Sequence, residues 1–169
     1  LDRFKKTLQH VDNFDVLVGY FTGALKIIQA LKSLFNPISQ ALFPLMASKI
    51  KLNRENANKL LLKASVTILP IFLVISCLIF FLSESIVSII LGANFTNSAI
   101  ILKAMSFVPF LVVISNLYGI QLMVNYGYEK QFSKFIIIAS ICGLILNVIL
   151  LNYYSILGAA YAVTFTEFL

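Results

Sequence analysis

Tryptophan is absent from the 169 residues, histidine occurs once and cysteine twice. With His10 as the only imidazole, a Ser-His-Asp triad or a histidine-based metal site would have to use that one ring, and no catalytic constellation gathers around it. Cys77 and Cys142 each sit inside an apolar run with no second cysteine nearby. That spacing excludes a CxxC redox or zinc motif and reads both as small hydrophobes. Charge is the other scarcity. Only 12% of the residues are charged and 60% are hydrophobic, against about 25% and about 45–50% in soluble domains. The deficit excludes an ordinary soluble domain and points to an integral membrane protein. No cofactor or metal is expected.

What charge there is lies in particular places. Thirteen basic and seven acidic side chains give a net charge of +6, but the basic residues cluster between apolar segments, as the positive-inside rule produces. Nucleic acid is therefore not an expected partner; the lipid bilayer is. The expectation is an all-α, polytopic transmembrane helical bundle. Residues 1–17 are polar and too poor in apolar residues to span, with Asp12, Asn13 and Asp15 read as a loop before a helix start near Val16–Tyr20. The helical bundle is placed at 18–169, with spans at about 18–49, 64–91, 99–124, 135–151 and, in part, 156–169. Leu1 and Leu169 both read as cut edges, so the chain is expected to be a fragment, roughly the second half of something longer. The sequon Asn94-Phe95-Thr96 could carry a glycan only in a eukaryotic secretory protein, and a bacterial protein is expected.

Several local signals refine this picture. Pro37 and Pro44 interrupt the first span and predict a bend near Asn36-Pro37. Residues 49–63 carry Lys49, Lys51, Arg54, Lys59 and Lys63 against Glu55, and read as a short basic loop that turns into the next helix. The run Ile68–Leu82 predicts a helix facing lipid on most sides, with Ser83-Glu84-Ser85 marking its far interface. Pro109 falls inside the third span, which also carries Ser106, Asn116 and Gln121. Asn147 is the one strongly polar group of the fourth, and Gly158, Ala159, Ala160 and Ala162 suit close helix packing. Counting basic residues places 49–63 and 125–134 on the cytoplasmic side. Lys103 and the group Arg3, Lys5 and Lys6 run against that count.

The first span holds the candidate site. At 100° per residue Thr22, Lys26, Gln29, Ser33, Asn36 and Gln40 fall within an arc of roughly 80°. Ile27, Ile28, Leu31, Leu34, Phe35, Ile38 and Leu42 occupy the other side. A polar stripe roughly 27 Å long inside so apolar a chain must face protein or water, because lipid would leave it unsatisfied. It reads as the wall of a hydrophilic cavity. Lys26, Gln29, Asn36 and Gln40 are the candidate substrate-binding residues, with Lys32 at the edge of the arc. Glu167, about ten residues into the last span, is the candidate for ion coupling. A carboxylate at that depth is costly unless paired or hydrated, so either a cation lies beside it or it keeps its proton. The plainer reading is a structural pair with a neighbouring helix.

Two groups of residues resemble a known family. They are Val18-Gly19-Tyr20-Phe21-Thr22-Gly23-Ala24 with Lys26-Ile27 and Asn36-Pro37-Ile38-Ser39-Gln40-Ala41-Leu42-Phe43-Pro44, and then Pro109-Phe110, Ser115-Asn116, Tyr118-Gly119-Ile120-Gln121, Phe132-Ser133-Lys134, Leu157-Gly158-Ala159-Ala160 and Thr166-Glu167. In this order they resemble the second half of bacterial O-antigen and polysaccharide repeat-unit flippases of the Wzx type, within the multidrug/oligosaccharidyl-lipid/polysaccharide exporter superfamily. The likeness covers about 18–169, and residues 1–17 depart from it. It implies the C-terminal lobe of a twelve-helix, two-lobe protein of the bacterial inner membrane, with an N-terminal six-helix lobe as its missing partner. The implied function is alternating-access transfer of an undecaprenyl-pyrophosphate-linked oligosaccharide from the cytoplasmic to the periplasmic leaflet. Lys26 would then be the best candidate for the pyrophosphate. No bond is made or broken in such a step, so the chain is not expected to be an enzyme. Three alternatives stay open: a membrane-embedded polymerase or ligase of the same pathway, a drug or cation antiporter of the same superfamily, and a purely structural membrane subunit.

Overall fold

The computed structural model describes residues 2–169, with side chains described from Asp15 onward. The side chains of Arg3, Lys5, Lys6 and His10 lie outside the described residues. The loop expected at Asp12, Asn13 and Asp15 is instead helical, within α1 (Asp2–Ser33). The chain continues as α2 (Asn36–Leu52), α3 (Arg54–Ile90), α4 (Ser98–Ala104), α5 (Val108–Ser115), a π-helical segment (Asn116–Val124), α6 (Glu129–Tyr154) and α7 (Ile156–Phe168). A single 3-10 turn, Ala93–Phe95, links α3 to α4. Among the described residues there is no strand, so the all-α expectation holds.

Among the described residues, three helices are long and apolar enough to cross a membrane: Arg54–Ile90, Ser98–Val124 (α4, α5 and the π segment together) and Glu129–Tyr154. A further span was expected at about 18–49. That stretch is not one helix but two, because the chain turns at Leu34-Phe35. There Leu34 N–H donates to Leu31 O and Phe35 N–H to Lys32 O, both at 3.2 Å, in the tighter i to i−3 pattern. Pro37 follows in the first turn of α2, where its missing N–H costs nothing. In an uninterrupted helix its ring would clash with the carbonyl of Ser33.

The expected loop at 49–63 shrinks to one residue. Asn53 is extended (φ −162°, ψ 121°), and its side-chain oxygen accepts the N–H of Glu55 as a helix cap. The flanking basic residues are helical on both sides. α3 is distorted at Leu82 (φ −104°, ψ 15°) and continues through Ser83-Glu84-Ser85 to Ile90.

α3 shows why these helices pack as they do. Its buried residues are Ala57, Leu61, Ser65, Phe72, Ser76, Ile79, Ser83 and Val87. They recur three, four or seven residues apart, which is one stripe of a helix. The rest of α3 is largely exposed, as the Ile68–Leu82 run predicts for a lipid-facing helix. Two apolar clusters lie along this stripe. One joins Ala24, Ile27 and Ile28 of α1 to Ile79 and Val87 of α3, Leu102 of α4 and Ala160 of α7. The other joins Phe35, Leu42 and Met46 to Ala57, Leu61 and Phe72, and to Val113 and Leu117. The turn at Leu34-Phe35 lets one polypeptide stretch serve both clusters.

α7 crosses α6 at close range. A Cβ on Gly158 would collide with the carbonyl oxygen of Leu150, and one on Gly143 with the Thr166 side chain. Gly158, Ala159, Ala160 and Ala162 are all buried, so the small residues do permit backbones to approach. The breaks in the third span are satisfied in the same neighbourhood. Around the turn between α4 and α5, the hydroxyl of Thr164 on α7 donates to Ala104 O at 3.0 Å.

The two ends of the bundle are distinguishable. At one, the Tyr126 hydroxyl donates to Asn58 Oδ1 at 2.6 Å, and Arg54 lies 5.6 Å from the centre of the same ring. At the other, Tyr20 and Phe95 pack edge to face with centroids 5.9 Å apart. The basic segments around 49–63 and 125–134 therefore share an end.

Candidate functional site

The polar stripe survives the break. Thr22, Lys26, Gln29, Ser33, Asn36 and Gln40 are all exposed, while Ala24, Ile27, Ile28, Phe35 and Leu42 are buried. Leu34 and Ile38, expected on the apolar side, are exposed (59% and 41%), one in the turn and the other in the first turn of α2. Two stripe hydroxyls are used locally, Thr22 donating to Val18 O at 2.8 Å and Ser33 to Ala30 O at 2.6 Å. The amides of Gln29, Asn36 and Gln40 make no hydrogen bond among the described residues.

The two lysines part company. Lys32 Nζ lies 2.9 Å from Glu167 Oε1, with the two side chains 33% and 29% exposed. Lys26 has no acidic partner among the described residues. The sequence required a cation beside Glu167 if the group was to stay ionised, and α1 supplies it. Lys32 is thus engaged with a carboxylate, and on the stripe only Lys26 retains an uncompensated charge among the described residues.

A cavity of about 240 Å³ opens at the break, lined by Gln29, Lys32, Ser33, Phe35, Asn36, Val112 and Asn116. It brings together three of the five candidate substrate-binding residues, Gln29, Lys32 and Asn36. Lys26 and Gln40 lie above and below it on the stripe. On the other side of the ion pair, Glu167 borders a larger cavity of about 400 Å³ between the π segment, α6 and α7, with Tyr118, Phe132 and Thr166 in its wall.

Asn116 is the residue that the stripe does not reveal. It begins the π segment, and Gln121 follows five residues later on the same face, since a π-helix aligns i with i+5. Gln121 is fully buried. Its Nε2 donates to Ser39 O (3.1 Å), Ser39 Oγ (3.0 Å) and, at 3.4 Å, to Asn116 Oδ1. Ser39 Oγ donates in turn to Asn116 Oδ1 at 2.8 Å. This network ties α2 to the third span below the break. Gln121 Oε1 is left buried without a partner. The sequence shows Asn116 and Gln121 as polar atoms in an apolar span, but a five-residue spacing carries no α-helical signature.

With that geometry in hand, the chain can be set beside known proteins. Over 151 residues, 89% of the chain, it is 40% identical to an Escherichia coli (strain K12) protein named "Putative O-antigen transporter". A Shigella dysenteriae protein of the same name is 30% identical over 155 residues, or 92% of the chain. The chain is a homologue of these transporters. It spans little more than a third of their length, 36% and 38% respectively. Together with three helices long and apolar enough to cross a membrane, the homology to O-antigen transporters makes this a multi-pass membrane protein. No family model and no solved structure matches it.

Proposed function

We propose that this chain is the C-terminal lobe of a twelve-helix flippase that carries undecaprenyl-pyrophosphate-linked O-antigen or polysaccharide repeat units across the bacterial inner membrane by alternating access. The observation that carries this reading is an exposed polar face on α1 and α2, in a chain 40% identical to a protein named as an O-antigen transporter. A sugar–pyrophosphate head group cannot cross hydrocarbon, so a polar and partly cationic path must be offered to it while the isoprenoid tail stays in lipid. Exposed amides supply donors and acceptors for hydroxyls. A lysine supplies countercharge for phosphate. The missing N-terminal lobe would face the stripe and close the cavity.

Within this reading the end bearing Lys49, Lys51, Arg54 and Lys59 is cytoplasmic, by the positive-inside rule. Lys26 is the pyrophosphate contact, because Lys32 is already neutralised by Glu167. The experiment is made in the full-length protein, in cells that lack their own copy. Lys26→Ala should abolish surface display of the glycan at normal membrane insertion, and Lys26→Arg should restore part of it. Undiminished display by Lys26→Ala would remove Lys26 from the path.

A further inference from the structure

We propose that the cavity at the α1–α2 break is a saccharide subsite, holding one sugar ring of the transported head group and distinct from the phosphate contact at Lys26. The inference rests on the transport reading above and deepens it.

Volume and chemistry agree on the occupant. At about 240 Å³ the cavity falls below the roughly 300 Å³ at which pockets for drug-sized ligands begin. It suits one ring rather than a whole head group. Its polar wall is neutral overall. Gln29, Asn36 and Asn116 are carboxamides, each able to donate and accept, which is what vicinal hydroxyls require. Lys32 is balanced by Glu167 at 2.9 Å, so the wall offers a phosphate no surplus charge. Phe35 and Val112 give the apolar part of the lining that a ring's C–H face can cover.

Asn116 is aimed rather than merely present. Its Oδ1 accepts from Ser39 Oγ at 2.8 Å and from Gln121 Nε2 at 3.4 Å. With the carbonyl side taken, its Nδ2 donors remain for the cavity. The π geometry makes this possible by bringing Gln121 onto the face of Asn116. Gln121 is therefore a positioning residue: it touches no ligand and fixes the carboxamide that does. The spacing along the chain also fits. At about 1.5 Å per residue Lys26 lies roughly 9 Å along α1 from Lys32, so a head group with its phosphates at Lys26 would bring an early sugar to the break.

The test uses the purified full-length protein and two probes, undecaprenyl pyrophosphate and the undecaprenyl-pyrophosphate-linked repeat unit extracted from the same cells. Wild type should bind the linked repeat unit at least tenfold more tightly than the bare pyrophosphate lipid. Asn116→Leu, a near-isosteric change that removes the donors without adding charge, should erase that ratio and leave affinity for the bare lipid unchanged. Gln121→Leu should reduce the same ratio, which a merely structural loss would not do, because retained binding of the bare lipid reports an intact fold. Lys26→Ala should weaken both ligands together. If Asn116→Leu and Asn36→Ala both keep the wild-type ratio, the saccharide subsite is overturned while the transport reading stands. If wild type binds neither probe, the transport reading fails and the subsite with it.

Discussion

Removing one partner of the Lys32–Glu167 pair should cost more than removing both. The two groups meet at 2.9 Å with about a third of each side chain exposed, between two well-characterised limits. Fully exposed pairs contribute about 0.2–1 kcal/mol, whereas breaking a fully buried pair costs about 3–5 kcal/mol because a charge is left stranded. Interpolating between them gives a coupling energy of about 1–2 kcal/mol. The measurement is a double-mutant cycle in the full-length protein with Lys32→Met, Glu167→Gln and the double variant, read by denaturant-induced unfolding in mixed micelles. Each single variant should be destabilised, and the double variant should recover much of the sum. Raising salt from 0.1 to 1 M shortens the screening length from about 10 Å to about 3 Å, so the coupling should shrink without vanishing. Additivity within about 0.3 kcal/mol, the usual scatter for independent sites, would show that the contact contributes nothing and would refute the argument.

Other outcomes follow from the same contacts. Glu167→Gln imitates the neutral carboxyl; if Glu167 takes up a proton or sodium ion during transport, this variant should still fold but no longer respond to collapse of the ion gradient. Transport with an unchanged gradient response would leave the pair a structural one. Gly158→Ala drives a methyl into the Leu150 carbonyl at the α6–α7 crossing, an overpacking that should destabilise the protein by about 1–3 kcal/mol in the same unfolding assay; a change under about 0.5 kcal/mol would mean the crossing yields freely. Cysteines placed at Asn58 and Asn94 should react with impermeant reagent from opposite faces of the membrane, since Asn58 bonds Tyr126 at one end and Phe95 packs on Tyr20 at the other. Labelling of both from one face would overturn the orientation.

What the sequence could and could not reveal follows from the range over which each signal acts. The stripe of Lys26, Gln29, Asn36 and Gln40 was legible because each step is three, four or seven residues, within the periodicity of a single helix. The bend was legible because proline acts on its own backbone and on the carbonyl four residues earlier. Its consequence was not: that Leu34 and Ile38 are left exposed depends on where Phe35 and Leu42 find a core, and that core comes from α3 and α5. Basic charge was legible as one end of the bundle but misleading as a loop, since lysine and arginine are good helix formers and a single capped residue, Asn53, suffices to separate α2 from α3. Glu167 announced that it needed a partner, but the partner lies 135 positions away, and no pattern along the chain distinguishes Lys32 from Lys26 for that part. Asn116 was hidden for a different reason. Its relation to Gln121 is periodic, but with the period of a π-helix, so an α-helical wheel separates by about 140° two groups that the fold brings within 3.4 Å. The polar groups most firmly fixed by the structure are thus those whose spacing breaks the rule by which polar faces are found. In an apolar span, an Asn and a Gln five residues apart are a reason to look for a widened turn and for whatever the freed amide faces.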